Sequence, residues 1–264
     1  MTRLRKQAPT PAIEKRATAA PQVAPPSLDG LPRAELEAMR AAGVSVRDCM
    51  RVLEKADLNL VGEVLRGNGT FFEMEHYPPD DVNDTETGSQ YYYHAHRGAG
   101  EHGHFHLFVR AKGMPDGVAP AANRGEALWP SGSDAIAHLI AISMDVFGIP
   151  KTLFAVNRWV TDETWYPAQD VIRMIDRFKI DHAQPSWPLN IWLGQMLVLF
   201  RPQVEALIRH RDATVAYWHS IHSSVDVFED RTLEMTGMLS ISIDDQILAI
   251  NRALEVEGAS GGRS

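Results

Sequence analysis

The chain has 264 residues, of which 44% are hydrophobic and 23% are charged. These proportions are ordinary for a globular protein that buries a substantial core. The formal net charge of −8 argues against nucleic acid as an electrostatic partner. The single cysteine, Cys49, excludes an intrachain disulfide and any paired-cysteine zinc or redox site.

Residues 1–30 predict a disordered tail, because basic residues are mixed there with Ala, Pro, Thr and Gln. Such a segment buries too little apolar surface to offset the entropy lost on ordering. No apolar run follows the basic residues, so the segment is not a secretory signal. Residues 258–264 predict a flexible second tail, which leaves residues 31–257 as a single domain. No stretch reaches the roughly 18 apolar residues of a membrane span, so we expect a cytoplasmic protein.

The start of this domain predicts two helices. Residues 32–42 carry a proline in the first turn and apolar residues at helical spacing, and Gly43 is a typical stop. Ser45 with Asp48 three positions later resembles a capping box that begins the second helix.

Residues 70–77 predict a strand, which we expect beside the strands that follow it in the chain. Glu73, Glu75 or His76 of this strand could then complete the coordination sphere of a metal. The acidic residues 78–88 do not match an EF-hand calcium loop, and we interpret them as a solvated turn.

The next stretch is rich in histidine and predicts a β-hairpin. Side chains alternate faces along a strand, so histidines two positions apart lie on one face. Five imidazoles fall within thirteen residues, at His94, His96, His102, His104 and His106.

The length of the turn decides whether the two sets of histidines share a face. A two-residue turn would mix polar and apolar side chains on both faces. A three-residue turn at 98–100 instead separates them, and Gly100 can take the left-handed conformation that such a turn needs. The cross-strand pairs of this register are His96 with His102, His94 with His104, Tyr92 with His106, Tyr93 with Phe105, and Tyr91 with Leu107.

Cross-strand neighbours lie about 5 Å apart, so several protonated imidazoles on one face would repel each other. Neutral imidazole is a common ligand of transition metals. We therefore predict that the hairpin binds a divalent transition metal such as zinc, iron or copper. The expected ligands are His94, His96, His104 and His106. His102 lies nearer the turn and is expected to support the site or admit the metal, and Glu101 is a spare carboxylate. The alternative is a solvent-facing sheet surface that is simply rich in histidine.

Residues 138–144 and 152–160 predict a second pair of strands, separated by a glycine-proline turn. Arg158 at the end of this pair could hold the anionic group of a small-molecule substrate. The alternative is that Arg158 pairs with Asp162 or Glu163.

Amphipathic and apolar patterns predict helices from Pro167 onward, while residues 230–241 give no assignment. The whole pattern predicts an α+β protein, with an antiparallel sheet of about five strands, N-terminal helices and a helical C-terminal half. The dinucleotide, P-loop, nucleophile-elbow and zinc-protease signatures do not occur in the sequence.

Four motifs together resemble those of an uncharacterised bacterial family. The resemblance covers most of residues 35–255 and implies no activity. The motifs are His94-Ala95-His96, the run Gly-Glu-His-Gly-His-Phe-His that starts at Gly100, Val156-Asn157-Arg158-Trp159-Val160-Thr161, and Trp187-Pro188.

The run of residues 102–108 is also similar to the histidine-triad motif of nucleotidyl hydrolases and transferases, in which histidines alternate with hydrophobic residues. That resemblance implies that His104 attacks an α-phosphate while His102 and His106 orient it. Gly103 departs from the motif, and the two histidines of the first strand have no role in that mechanism.

A third likeness concerns the metal. His94-x-His96 followed by Glu101 is similar to the metal motif of cupins, although Phe108 stands where that motif has glycine. The likeness implies two histidines and a carboxylate around a divalent ion.

Three hypotheses follow from the sequence. The first is a metal-dependent enzyme with an open coordination position. The second is a non-catalytic metal-binding or structural protein whose metal is fully coordinated. The third is a histidine-triad-like phosphoester enzyme that needs no metal.

Overall fold

The computed structural model describes residues 20–96, 100–122, 125 and 127–261, with only the backbone for 257–261. Over these residues the chain forms an α+β architecture of seven α-helices and one six-stranded sheet, as the sequence predicts, with one strand more than the expected five. The helices are α1 (Arg33–Glu54), α2 (Leu60–Leu65), α3 (Arg158–Thr161), α4 (Ala168–Ile175), α5 (Trp187–Leu199), α6 (Arg201–Ile221) and α7 (Ile243–Gly261). The strands are β1 (Tyr77–Asp84), β2 (Ser89–His94), β3 (Gly103–Arg110), β4 (Ile136–Met144), β5 (Pro150–Val156) and β6 (Met235–Ser240).

The sheet is an antiparallel meander in which every strand pairs with the next one along the chain, in the order β1-β2-β3-β4-β5-β6. The predicted hairpin is therefore β2-β3, which lies between β1 and β4 in the sheet. Strand β1 flanks it on one side and β4 on the other. Both neighbours can bring side chains to a site on the hairpin.

The main core lies between the helices and one face of the sheet. On this helix face, the Phe105 ring lies 6.3 Å from the ring of Trp192 in α5. Tyr91 donates a hydrogen bond from its hydroxyl to the side-chain oxygen of Asn190, also in α5, at 2.7 Å. Leu107 and Val109 are fully buried in the same cluster. The odd-numbered positions of β3 thus provide its hydrophobic surface.

The opposite face of the sheet carries the imidazoles and is called the histidine face below. His104, His106 and Phe108 of β3 lie on it, since side chains alternate along the strand. Phe154 and Val156 of β5 form a smaller apolar cluster on this face. This face therefore combines buried polar groups with aromatic and aliphatic neighbours.

Helix α1 is continuous, so the predicted stop at Gly43 and the predicted second start at Ser45 are wrong. The Ser45 hydroxyl donates to the carbonyl of Ala41 within the helix, at 3.2 Å. Gly43 serves close packing instead. A Cβ at this position would lie 2.8 Å from Cγ1 of Ile247 in α7.

Two strands differ from the prediction. Residues 70–76 are not a strand, and the acidic segment expected to be a solvated turn forms most of β1. Pairing of β1 with β2 is irregular between Tyr77 and Val82, so the period-two pattern is broken there. The unassigned residues 230–241 contain β6, which pairs with β5.

The first nineteen residues of the expected N-terminal tail lie outside the described residues. Residues 20–30 are described, and part of this segment packs on the domain. Gln22 forms a parallel bridge with Met238 of β6, and Leu28 is buried in the main core.

No helix within the described ranges combines the length and the apolar character that a bilayer crossing requires.

Candidate metal centre

The hairpin register that the sequence predicts is confirmed in the strand ladder. His94 lies opposite His104, Tyr92 opposite His106, Tyr93 opposite Phe105, and Tyr91 opposite Leu107. Gly100 has the predicted positive φ, at 104°. Residues 97–99, which include most of the predicted turn, lie outside the described residues.

Three imidazoles converge on the histidine face. His94, His104 and His106 are buried, with exposed fractions of 8%, 0% and 0%. Each offers a ring nitrogen, and these three atoms lie within 4.8 Å of one another. Nε2 of His94 and Nε2 of His104 are 2.7 Å apart. Neighbouring strands thus bring together three potential ligand atoms from two separate chain segments.

Glu101 holds the far side of the His104 ring. Its carboxylate is hydrogen-bonded to Nδ1 of His104, and the Ser143 hydroxyl donates to its other oxygen at 2.9 Å. Ser143 lies opposite His104 on β4. A carboxylate on the second ring nitrogen is the usual partner of a metal-bound histidine, because it fixes the tautomer and the ring orientation. Glu101 therefore has the position of a supporting residue for His104.

His138 of β4 holds the far side of the His106 ring in the same way. Nδ1 of His106 and Nε2 of His138 are 3.0 Å apart. Burial lowers the pKa of His138 to about 3, with the charge of Arg211 acting in the same direction. His138 is therefore neutral, and its Nε2 can accept a hydrogen bond from the Nδ1–H of His106. Nε2 is then the nitrogen that His106 would offer to a metal.

The position of His138 depends on a β-bulge. Leu107 pairs with Ile140 while the next residue, Phe108, pairs with His138, so Leu139 is an extra residue in β4. Leu139 and Ile140 both lie in the main core. Without the bulge, strict alternation would place His138 on the same face as Ile140, away from the hairpin histidines.

A buried carboxyl group lies behind His138. The side chain of Glu163 accepts a hydrogen bond from the backbone N–H of His138 at 2.7 Å and is fully buried. Burial raises its pKa to about 7, although the charges of Arg211 and Arg158 and two hydrogen bonds oppose the shift. This group lies outside the set of three ligand atoms.

The other predicted ligands have different places. The His96 ring lies 5.0 Å from that of His94 and 5.1 Å from that of His104, and it is partly exposed. His102 points to the helix face, where Nδ1 contacts the Tyr93 hydroxyl at 2.6 Å. The expectation that all five imidazoles share one face is therefore wrong for His102. It precedes β3, so strand alternation does not control its direction.

Residues preceding β1 contribute one neighbour to the histidine face. The His76 ring stacks on Tyr92, with ring centroids 3.7 Å apart. Glu73 and Glu75 are exposed. None of these three residues belongs to the group of ligand atoms found among the described residues.

A family model described as a domain of unknown function (DUF6969) matches residues 40–241. The chain belongs to this family. No curated protein and no solved structure matches it. The DUF6969 region contains all six strands and the three convergent histidines, whereas α7 lies wholly beyond it. The expected likeness to an uncharacterised family is thus confirmed.

In this DUF6969 protein, Arg158 follows the second predicted strand pair and begins α3. Its side chain pairs with Asp162, one of the two partners that the sequence offered as the alternative to a substrate anion. Its side chain is 3% exposed. Nη2 donates to the Asp162 carboxylate at 3.1 Å and Nη1 to the backbone carbonyl of Glu163 at 3.1 Å. Nε donates to Glu229 at 2.6 Å. These three acceptors all belong to the protein, and a role of Arg158 in substrate binding stays a prediction.

Sequence reasoning missed His138 and Ser143 as members of the site. A signal was present, because His138 is the one ionisable side chain in the mostly apolar run of residues 136–144. A buried imidazole in such a strand needs a polar partner. The partner could not be named from the sequence, since it depends on the bulge and on the pairing of β4 with β3.

Proposed function

We propose that this protein binds one divalent transition metal ion through His94, His104 and His106. The observation that carries the proposal is the convergence of three buried ring nitrogens within 4.8 Å. Two nitrogens bound to one tetrahedral zinc at about 2.05 Å lie roughly 3.3 Å apart. The distance between the two Nε2 atoms of His94 and His104, 2.7 Å, is within reach of that value by small ring rotations.

Burial makes the cluster costly without a cation. Protonated imidazoles at this spacing would repel each other strongly in a low-dielectric interior. Neutral imidazoles can share one proton across the contact between His94 and His104, whereas a divalent ion can bind a ring nitrogen of all three histidines at once. Glu101 and His138, each on the second nitrogen of a candidate ligand, supply the outer hydrogen bonds that metal-bound histidines commonly have.

We further propose that the centre is catalytic, with an open coordination position. Three protein ligands plus one exchangeable water is the arrangement of catalytic zinc, whereas structural zinc is closed by four protein ligands. His96 is the nearest candidate for a fourth ligand, but it lies outside the group of ligand atoms formed among the described residues. An ion with an open position can activate a bound water molecule or polarise a substrate oxygen.

The histidine-triad alternative fits this geometry less well. A nucleophilic His104 must present a ring nitrogen to a phosphate. Instead His104 is fully buried, Nδ1 is bonded to Glu101 and Nε2 contacts His94. In the metal proposal, Glu101 keeps its bond to Nδ1 of His104, and the ion would lie between the Nε2 atoms of His94 and His104.

The first experiment is elemental analysis of protein purified without an affinity tag. We expect about one equivalent of zinc, iron or copper in the wild-type protein. The His94→Ala and His106→Ala variants should lose it, because two imidazoles hold such an ion weakly. His219→Ala, which removes an exposed histidine from α6, is the matched control and should retain the metal.

A second measurement guards against variants that fail to fold. Metal that binds only the native state raises the midpoint of thermal unfolding. Adding Zn²⁺ to the chelator-treated wild type and to His219→Ala should raise the midpoint, and His94→Ala should show no rise. Wild-type protein that neither contains metal nor gains thermal stability from Zn²⁺, Fe²⁺ or Cu²⁺ would refute the proposal. Loss of metal from His96→Ala would refute the open position.

A further inference from the structure

Three consecutive tyrosines precede the first candidate ligand, and they alternate between the two faces of the sheet. On the helix face, Tyr91 donates to Asn190 at 2.7 Å and the Tyr93 hydroxyl contacts His102 at 2.6 Å. Tyr92 lies on the histidine face. It is 6% exposed, and among the described residues its hydroxyl has no protein hydrogen-bond partner. The hydroxyl is not one of the fully buried unpaired polar atoms, so it is open to solvent. The middle tyrosine therefore lacks the partner that both of its neighbours have.

Tyr92 borders the candidate metal centre. It lies opposite His106 in the strand ladder. Its ring centroid is 5.1 Å from that of His106 and 5.2 Å from that of His94. The phenol thus contacts two of the three candidate ligands directly.

The orientation of the Tyr92 ring is fixed by its neighbours. The His76 ring stacks flat on it, at 3.7 Å and an interplanar angle of 11°, and Phe108 packs at 5.5 Å. His76 is in turn held by Asp81 at 2.9 Å. Gln90 donates to the second oxygen of Asp81 at 2.5 Å. These contacts fix the orientation of the Tyr92 ring, and with it the position of the hydroxyl.

The phenol is a hydrogen-bond donor at neutral pH. A tyrosine hydroxyl carries its proton at neutral pH, so it can donate to an oxygen acceptor.

The ligand at the open position must accept that hydrogen bond and suit the charge of the ion. Three neutral imidazoles leave the charge of a divalent ion uncompensated among its direct ligands. The carboxylates of Glu101 and Asp81 each bind a neighbouring imidazole and are not among the candidate ligands. An anionic oxygen ligand is therefore favoured over a neutral one.

We infer that Tyr92 donates a hydrogen bond to a small carboxylate ligand coordinated at the open position of the metal centre. This inference rests on the proposed function and names the class of molecule that the centre accepts. Tyr92 is then a binding residue for the ligand, while the metal stays attached to the three histidines.

The test uses the full chain loaded with Co²⁺, whose visible absorption reports the coordination of the ion, and acetate as the probe. Acetate should change the wild-type spectrum in a saturable way. In Tyr92→Phe we expect the same Co²⁺ content and the same acetate-free spectrum, but about 10-fold or more weaker acetate binding, as for a lost hydrogen bond to a charged group. Tyr91→Phe removes a hydroxyl from the opposite face and should leave acetate binding unchanged.

The outcomes separate this inference from the metal proposal. Acetate binding that is equally tight in Tyr92→Phe and wild type would overturn the role of Tyr92. A Co²⁺-loaded wild type whose spectrum does not respond to acetate would overturn the carboxylate ligand. Failure of the wild type to bind Co²⁺ at all would overturn the metal centre, and this inference with it.

Discussion

Glu101 connects β3 with β4 beside the candidate centre. Its carboxylate is bonded to His104 of β3 on one oxygen and to Ser143 of β4 on the other. The residue precedes β3, so neither its direction nor its partners follow from strand alternation. Its contribution to the proposed metal binding would be indirect, because it acts on the nitrogen of His104 that would not face the ion.

Replacing this carboxylate with an amide tests that role. In Glu101→Gln we expect metal affinity to fall by about 10-fold to 100-fold, as is typical when the outer partner of a metal-bound histidine is changed. Competition with a chromophoric chelator measures the affinity. Glu73→Gln, at an exposed position before β1, is the control and should bind metal as the wild type does. An unchanged affinity in Glu101→Gln would show that His104 does not need this partner.

At the scale of elements, close packing explains features that local patterns misread. Gly43 lies inside α1, where glycine normally lowers helix stability relative to alanine by about 1 kcal/mol. It is tolerated because α7 approaches closely, with Ile247 Cγ1 at 2.8 Å and Leu199 Cδ1 of α5 at 3.3 Å from the position of a Cβ. The glycine that reads locally as a helix stop is therefore a contact point between helices.

A double-mutant cycle separates the two effects at Gly43. Gly43→Ala alone should lower the free energy of unfolding by about 1 kcal/mol or more, because the new methyl group overpacks the α1–α7 contact. In an Ile247→Ala background only the looser contact with Leu199 Cδ1 remains, so the same substitution should be neutral or should raise stability by up to about 1 kcal/mol through helix propensity. Urea denaturation of the four proteins measures both values. A stabilising effect of Gly43→Ala in the wild-type background would show that the helices are not in tight contact.

At the scale of the whole molecule, a buried carboxyl group next to β4 makes the free energy of unfolding depend on pH. Glu163 is fully buried, and its pKa is raised from 4.5 to about 7. Between these values the unfolded chain loses the proton while the folded protein keeps it, so stability falls as pH rises through this window. Each unit of difference between the folded and unfolded pKa values is worth about 1.4 kcal/mol. The full cost above pH 7 is therefore on the order of 3 kcal/mol.

Glu163→Gln removes the titration and keeps a side-chain oxygen that can accept from the backbone of His138. Relative to wild type, the variant should gain about 3 kcal/mol of stability between pH 4.5 and pH 8.5. Urea denaturation at both pH values, with a chelator present to exclude metal binding, measures the change. Glu255→Gln, at an exposed position of α7, should show no such gain. An equal stability difference at the two pH values would mean that Glu163 titrates normally in the folded protein.

The hairpin register and the fold class could be predicted from the sequence, because both depend on local information. Alternation of side chains and the odd length of the turn are enough to place His94 opposite His104 and Tyr92 opposite His106. The density of histidine was likewise enough to locate the candidate metal centre. The prediction of a strand at residues 70–77 was wrong, because residues 70–76 pair with no neighbouring strand.

The tertiary structure decided which imidazoles meet and what supports them. His138 joins the histidine face through a bulge in β4, and a bulge follows from pairing with β3 rather than from the sequence of β4 alone. His102 lies on the helix face, where its Nδ1 is hydrogen-bonded to the Tyr93 hydroxyl. Strand β6 could not be predicted from its own sequence, because it is defined by its pairing with β5. Each of these outcomes depends on contacts between distant segments, which alternation and propensity within one segment do not encode.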